Sequence, residues 1–254
     1  MRLSKVCVAL FFASILACVP LAHGACSNAS INGTYAILST GLNGSLQPAS
    51  SVDQVTVDGL GNLTGTSTKS INGSIVTFTF TGTYTIATSC VGTVTFTNQS
   101  NQTEHDRIYL NSVNASGVYN GGYLIQTDSN HVQSSVALAQ GAATCTDLGV
   151  KHAYSFKATG TAIGTGQVAA AGRVTLNGTG GLTGTETLSQ NGSIHSSVTL
   201  TGSYTVNSNC TSSLTITPTG FSATHWNAVI VNGGKELMAL QTDANTIITA
   251  TFQQ

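Results

Sequence analysis

The densest group of side chains with acid–base chemistry is Glu104-His105-Asp106-Arg107. An imidazole flanked by carboxylates titrates near neutral pH and can move protons either way, so the cluster points to general acid–base catalysis with His105 as the candidate. Two observations weigh against it. A related stretch, Thr224-His225-Trp226-Asn227, keeps the histidine and lacks both acids. On an extended strand, moreover, residues i−1 and i+1 point away from residue i, which parts Glu104 and Asp106 from His105. A half-exposed histidine at a strand end is the preferred reading, and His105 is the one catalytic candidate.

Other groups with chemistry are weaker still. Asp128 and Asn130, with Asp243 and Asn245, have oxygens that suit calcium, but the same spacing serves hairpin turns in which Asx side chains cap their own backbone. The glycine-rich run at 59–65, GLGNLTG, is followed by a Thr-rich strand rather than by a helix whose N-terminus could hold phosphate. No G-x-S-x-G or H-E-x-x-H motif occurs. No metal and no cofactor is expected. Tyr35, Tyr84, Tyr154 and Tyr204 read as core aromatics with hydroxyls at a barrel rim, and they are also the candidates for lining a ligand cavity.

The elements that position these residues come from a duplication. LTGTSTKSINGS at 63–74 returns as LTGTETLSQNGS at 182–193, an offset of 119. Tyr35 meets Tyr154 at that offset, Cys90 meets Cys210 and His105 meets His225 at 120, and Gln126 meets Gln241 at 115. So long a period marks two whole domains, residues 25–142 and 143–254, rather than a solenoid. Within IVTFTFTGTYTI, Val76, Phe78, Phe80, Gly82, Tyr84 and Ile86 share one face and the threonines share the other. That is a strand with one buried and one solvated side. Asn72-Gly73 and Asn191-Gly192, preceded by Asp58-Gly59 and Asn177-Gly178, supply the positive φ of two-residue hairpin turns. Strands are expected near 33–40, 52–58, 62–71, 75–87, 91–98, 105–112, 118–127 and 131–139, with their counterparts in the second copy. The fold class is all-β: a tandem of antiparallel meanders of about eight strands, each closing into a barrel to remove its edges, with a sandwich as the alternative. Gly82 and Gly202, on the buried face, mark bends at barrel corners in preference to close approach of a ligand.

GNLTGT (61–66) with FTGTY (80–84), and GGLTGT (180–185) with LTGSY (200–204), resemble the central strands of the streptavidin family. The resemblance implies eight-stranded up-and-down barrels open at one end. It does not extend to biotin. Where that family places a biotin-contacting Tyr and, two residues on, a Ser, this chain has Ser67 and Lys69, then Glu186 and Leu188. The family's several pocket tryptophans are represented by Trp226 alone. The overall pattern also looks like that of uncharacterised secreted bacterial repeat proteins rich in Gly, Thr and Asn.

The N-terminus carries Arg2 and Lys5, an apolar run from Val6 to Val19, Pro20, and small residues at Ala22 and Gly24. This reads as a secretory signal, residues 1–24, cleaved near Gly24, too short to span a membrane. No later stretch is apolar enough to span one, so an exported protein, extracellular or periplasmic, is expected. The remaining chain has six basic against nine acidic residues, a formal charge of −3, and too few charges to neutralise a row of phosphates, which excludes nucleic acid as a partner. Its four cysteines pair within their own copies only as Cys26–Cys90 and Cys145–Cys210. Disulfides suit an exported chain, and neither copy has the C-x-x-C spacing that structural zinc prefers. Lipidation at Cys26 is a lesser alternative.

Two functions remain open. The first is a non-enzymatic exported module that binds a small apolar or glycan ligand or serves at the cell surface. The alternative is a cofactor-free barrel enzyme, of isomerase or cyclase type, acting on an apolar substrate. Inward positions are expected to hold mostly Val, Phe, Leu, Ile and Tyr, which favours the first; a charged residue inside either barrel would reverse that order.

Overall fold

Thr-rich alternation broken by Asn-Gly and Asp-Gly commits the chain to antiparallel strands. A computed structural model describes residues 25–113, 118–141 and 144–254. The signal expected at 1–24 lies outside the described residues. The first copy contains β1 (Gly33–Leu42), β2 (Pro48–Val57), β3 (Asn62–Ile71), β4 (Ser74–Ile86), β5 (Val91–Asn98), β6 (Thr103–Val113), β7 (Tyr119–Gln126) and β8 (Val132–Ala139). The second contains β9 (Ala153–Ala162), β10 (Gly166–Leu176), β11 (Gly181–Gln190), β12 (Ser193–Val206), β13 (Thr211–Pro218), β14 (Thr224–Val231), β15 (Glu236–Gln241) and β16 (Thr246–Gln253).

Each set closes into an eight-stranded antiparallel barrel, the last strand pairing with the first. Closure leaves neither copy an edge strand, and the barrel, not the sandwich, is the architecture. Helical structure among the described residues is limited to 3₁₀ turns at Asn28–Ser30, Asp147–Val150 and Asn232–Gly234.

Asn72-Gly73 and Asn191-Gly192 turn with positive φ at both positions, as two-residue hairpins require. Asp58 and Asn177 do otherwise. Each accepts backbone N–H groups from the residues after it (Leu60, Gly61 and Asn62 for Asp58, Thr179 and Gly181 for Asn177). They open wider Asx-capped turns in which the following glycine has positive φ. The long strands coil tightly beside Gly82 and Gly202. A Cβ built on either would lie 2.0 Å from a carbonyl oxygen of the next strand, Thr95 or Thr215. The neighbouring backbone, rather than a ligand, demands glycine there.

The barrels pack side by side through outer faces. Ala36, Leu38, Val52, Val136 and Leu138 of the first meet Val229, Val231, Met238 and Leu240 of the second. Polar contacts frame this seam: Asn227 donates to Thr68 (3.2 Å), the Gly233 amide to the Gln140 carbonyl (2.8 Å), and Gln54 and Asn209 bond to each other. The seam explains why every residue of β15 is buried: one face fills its barrel and the other faces the partner barrel.

Candidate functional site

One end of each barrel is plugged by the chain entering it. The 3₁₀ turn at Asn28–Ser30 is pinned by Asn28, whose side chain accepts the Ile86 amide at 2.8 Å; Asp147 does the same for Val206 at 2.8 Å. Disulfides Cys26–Cys90 and Cys145–Cys210 lock both plugs. The Cys26 thiol is thus committed to a disulfide. The four recurring tyrosines belong to this closed end. Tyr35 donates to the Tyr119 carbonyl (2.8 Å) and Tyr154 to that of Gly234 (2.6 Å). Tyr84 reaches the Ile31 carbonyl (3.4 Å) and Tyr204 that of Asp147 (3.1 Å). Burial pushes Tyr35 and Tyr154 up to about 12, so their hydroxyls remain donors. Tyr35 and Tyr84 border a void of about 40 Å³, whereas Tyr154 and Tyr204 do not line the larger space in barrel 2 described next.

At the opposite, open end the two barrels diverge. Strand pairing puts Ile37 opposite Asp53 and Asp53 opposite Ser67, just as Phe156 faces Gly172 and Gly172 faces Glu186. Barrel 1 fills this end with Ser39, Ser51, Asp53, Ser67, Lys69, Glu104, Asp106, Gln126, Gln133 and Ser135. At matching positions barrel 2 has Ala158, Ala170, Gly172, Glu186, Leu188, Thr224, Trp226, Gln241, Ile248 and Ala250. The expectation of a largely aliphatic and aromatic interior therefore fails for the open half of barrel 1. Parity along the strand accounts for it: Lys69 follows Leu63, Gly65 and Ser67 in steps of two, and Asp53 precedes Val55 and Val57.

In barrel 1 the Lys69 ammonium lies 2.9 Å from Glu104. Asp53 accepts from the Ser51 hydroxyl at 3.1 Å. Burial pushes the Asp53 carboxyl up to about 6 against hydrogen bonds from Ser67 and Ser51 and the attraction of Lys69. Burial, followed by repulsion from Glu104 and Asp53, raises Asp106 to about 7. The empty space among these groups is about 50 Å³, room for roughly three waters.

Barrel 2 is hollow at the same level. A cavity of about 290 Å³ opens between Phe156, Ala170, Ile216, Trp226, Ile248 and Phe252, with Phe221 at its rim. Replacing Ser, Asp and Lys by Ala, Gly and Leu empties volume and strips polarity together. Phe156 and Phe252 stack at 5.4 Å between centroids, and the buried Trp226 ring donates its indole N–H to Thr224 (2.9 Å). Gln241 and Thr246, also on the wall, bond Asp243 at 2.8 and 2.7 Å. Glu186 is different. Its residue is only 8% exposed, it makes no hydrogen bond among the described residues, and burial alone raises its pKa.

His105 faces outward, as strand geometry requires, while Glu104 and Asp106 line the interior. Its ring meets Asp128 at 2.7 Å, and its own backbone N–H bonds the same carboxylate. His225 and Asp243 repeat this arrangement at 2.7 Å. Burial of Asp128 and Asp243 opposes their charge, but the hydrogen bonds from His105 and His225 outweigh it and hold both carboxyls below the ordinary value. Asn130 and Asn245 turn the chain with positive φ. These are clasps across β6–β7 and β14–β15, with the Asp positions already visible in the sequence as QTD repeats. Among the described residues no three His, Cys, Asp or Glu side chains are grouped so as to hold a metal, and no helix is long and apolar enough to cross a membrane. No family model matches the chain, and no curated protein or solved structure matches it.

Proposed function

We propose that the protein is an exported binding module in which barrel 2 holds one small apolar molecule and barrel 1 is its filled structural companion. One observation carries the reading: on the same eight-stranded scaffold, the open end of barrel 2 contains about 290 Å³ of apolar space where barrel 1 contains about 50 Å³. Eight-stranded barrels are wide enough either to be filled by their own side chains or to hold one small ligand, and this chain has one of each. The cavity sits at the small end of the range for ligand sites and has their usual apolar, aromatic wall. Export is supported by the two disulfides, which suit an oxidising compartment.

The enzyme reading gains from Glu186, a carboxyl on the wall of an apolar cavity whose pKa is raised by burial. Charges do lie inside both barrels, and by the criterion set from the sequence that alone would put the enzyme reading first. Chemistry needs converging groups and room for a substrate together, however. Barrel 1 has converging groups without room, and barrel 2 has room with a single unengaged carboxyl. Binding therefore remains first.

The test uses Trp226, the sole tryptophan, as reporter. Titrating the protein with a neutral apolar fluorophore such as N-phenyl-1-naphthylamine should give saturable one-to-one energy transfer from Trp226. Ala170→Phe, which fills the cavity, should abolish it. Absence of saturable binding, or binding unchanged in Ala170→Phe, overturns the proposal. Turnover of an ester, glycoside or isomerase substrate that is lost in Glu186→Gln would put the enzyme reading first.

A further inference from the structure

Resting on that reading of barrel 2, we infer that its ligand is an apolar amine, bound with its protonated nitrogen against the Glu186 carboxylate.

A carboxylate buried without a partner is among the most destabilising placements a side chain can have, and native chains avoid it unless something else completes the site. Glu186 stands on the wall of the cavity, more than nine-tenths buried, with no hydrogen bond among the described residues. Of the other polar wall groups, Thr224 is engaged with Trp226 and the Ile216 carbonyl and Gln241 and Thr246 with Asp243, while Gln190 and Ser222 also line the cavity and neither bonds Glu186. No Lys, Arg or His lines the cavity.

In barrel 1 the same scaffold answers one interior carboxylate, Glu104, from within, while Asp53 Oδ1 has no hydrogen-bond partner among the described residues. Lys69, two residues beyond Ser67 on the inner face, extends its ammonium to Glu104 at 2.9 Å. In barrel 2 the position of Ser67 becomes Glu186, and that of Lys69 becomes Leu188. A carboxylate is gained and the internal ammonium is lost at the two adjacent inward sites. The volume released is the cavity itself. A molecule entering from the open end meets aromatic rings at Phe156, Trp226 and Phe252 and one acceptor with both oxygens unengaged. The chemistry that completes this site has an apolar body of one or two rings and a single strong donor. A cation meets the charge as well as the hydrogen-bonding capacity, and the indole face adds cation–π attraction. An anionic ligand is refused by the same carboxylate.

The experiment compares three probes of matched length by calorimetry on the whole protein: 4-phenylbutylamine, 4-phenylbutanol and 4-phenylbutyrate. The amine should bind about 10- to 100-fold more tightly than the alcohol, the span of a charge-assisted hydrogen bond, and the carboxylate should not bind. In Glu186→Gln, a near-isosteric change that removes a buried charge, the amine's advantage over the alcohol should disappear. Leu188→Lys supplies the ammonium from the chain and should remove the amine's advantage in the same way. Near-ultraviolet circular dichroism of Trp226 verifies that each variant is folded. Equal affinity of amine and alcohol for the unaltered protein, or an amine advantage that survives Glu186→Gln, overturns this inference and leaves the apolar site standing. Failure of the alcohol and the amine alike to bind removes the apolar site itself.

Discussion

Replacing Lys69 by Met deletes the one positive charge inside barrel 1 among the described residues while keeping a long, flexible side chain. The ammonium is 2.9 Å from Glu104; the Lys69 side chain is 9% exposed and that of Glu104 43%. Breaking a fully buried pair costs about 3–5 kcal/mol, exposed pairs contribute about 0–1, and this half-screened pair belongs between them, at about 1–2 kcal/mol. The loss depends on pH in a direction fixed by the neighbours. Asp53 and Asp106 have folded pKa values of about 6 and 7 against an ordinary 3.8, so the folded state binds their protons more tightly than the unfolded state. Such groups leave stability untouched below pH 4 and reduce it progressively as pH rises from 4 through 7. Lys69 moderates both shifts, so its removal should raise both pKa values and deepen that decline. Lys69→Met should therefore cost about 1–2 kcal/mol at pH 8 and less at pH 4.5, where the aspartates are protonated and no longer attract the ammonium. Urea unfolding at the two pH values measures this. Circular dichroism follows both barrels, whereas Trp226 fluorescence reports barrel 2, and the change should be larger in the former. An equal cost at both pH values would mean that the alkyl stem, not the charge, matters. A gain in stability at pH 8 would mean that desolvating the ammonium outweighs its attraction to the carboxylates.

Three further outcomes are expected. Each disulfide closes a loop of 64 or 65 residues, so Cys90→Ser or Cys210→Ser should cost about 4 kcal/mol, read as a lowered urea midpoint. Gly202→Ala puts a methyl group 2.0 Å from the Thr215 carbonyl and should destabilise by about 2–4 kcal/mol, measured by thermal unfolding. His105→Ala and His225→Ala, both of which remove half-exposed clasps to Asp128 and Asp243, should each cost under about 1 kcal/mol in the same assay. A hundredfold fall in any turnover confined to His105→Ala would restore that residue as catalytic.

Much of the architecture was legible because its causes are local. Thr alternation fixes strand faces, Asn-Gly fixes corners, and the 119-residue offset fixes the duplication and with it the cysteine pairing. The seam between barrels left a weaker mark. Val229, Val231, Met238 and Leu240 are apolar on the outward parity, where β4 has threonine, but nothing local says what covers them. The interior of barrel 1 was within reach by the same counting, since Asp53, Lys69, Glu104 and Asp106 all fall on inward parity. Judging the core from its most regular strand, β4, hid them, because β4 carries no charge. The clasps of His105 and His225 join residues 23 and 18 positions apart on neighbouring strands, so strand register had to be known before Asp128 and Asp243 could be assigned to them. Hollowness was not legible at all. It depends on the summed volume of inward side chains at one level of the barrel, where Ala158, Ala170, Gly172 and Ala250 replace Ser39, Ser51, Asp53 and Ser135.

The contrast between a filled and a hollow barrel is tested most directly by a crystal structure of the protein under xenon pressure. Xenon enters apolar cavities without needing a specific hydrogen bond. The account predicts a xenon atom in barrel 2 among Phe156, Trp226 and Phe252, and none in the polar end of barrel 1. A barrel 2 closed by its own side chains with no xenon inside, or xenon seated instead among Asp53, Lys69 and Asp106, would contradict it.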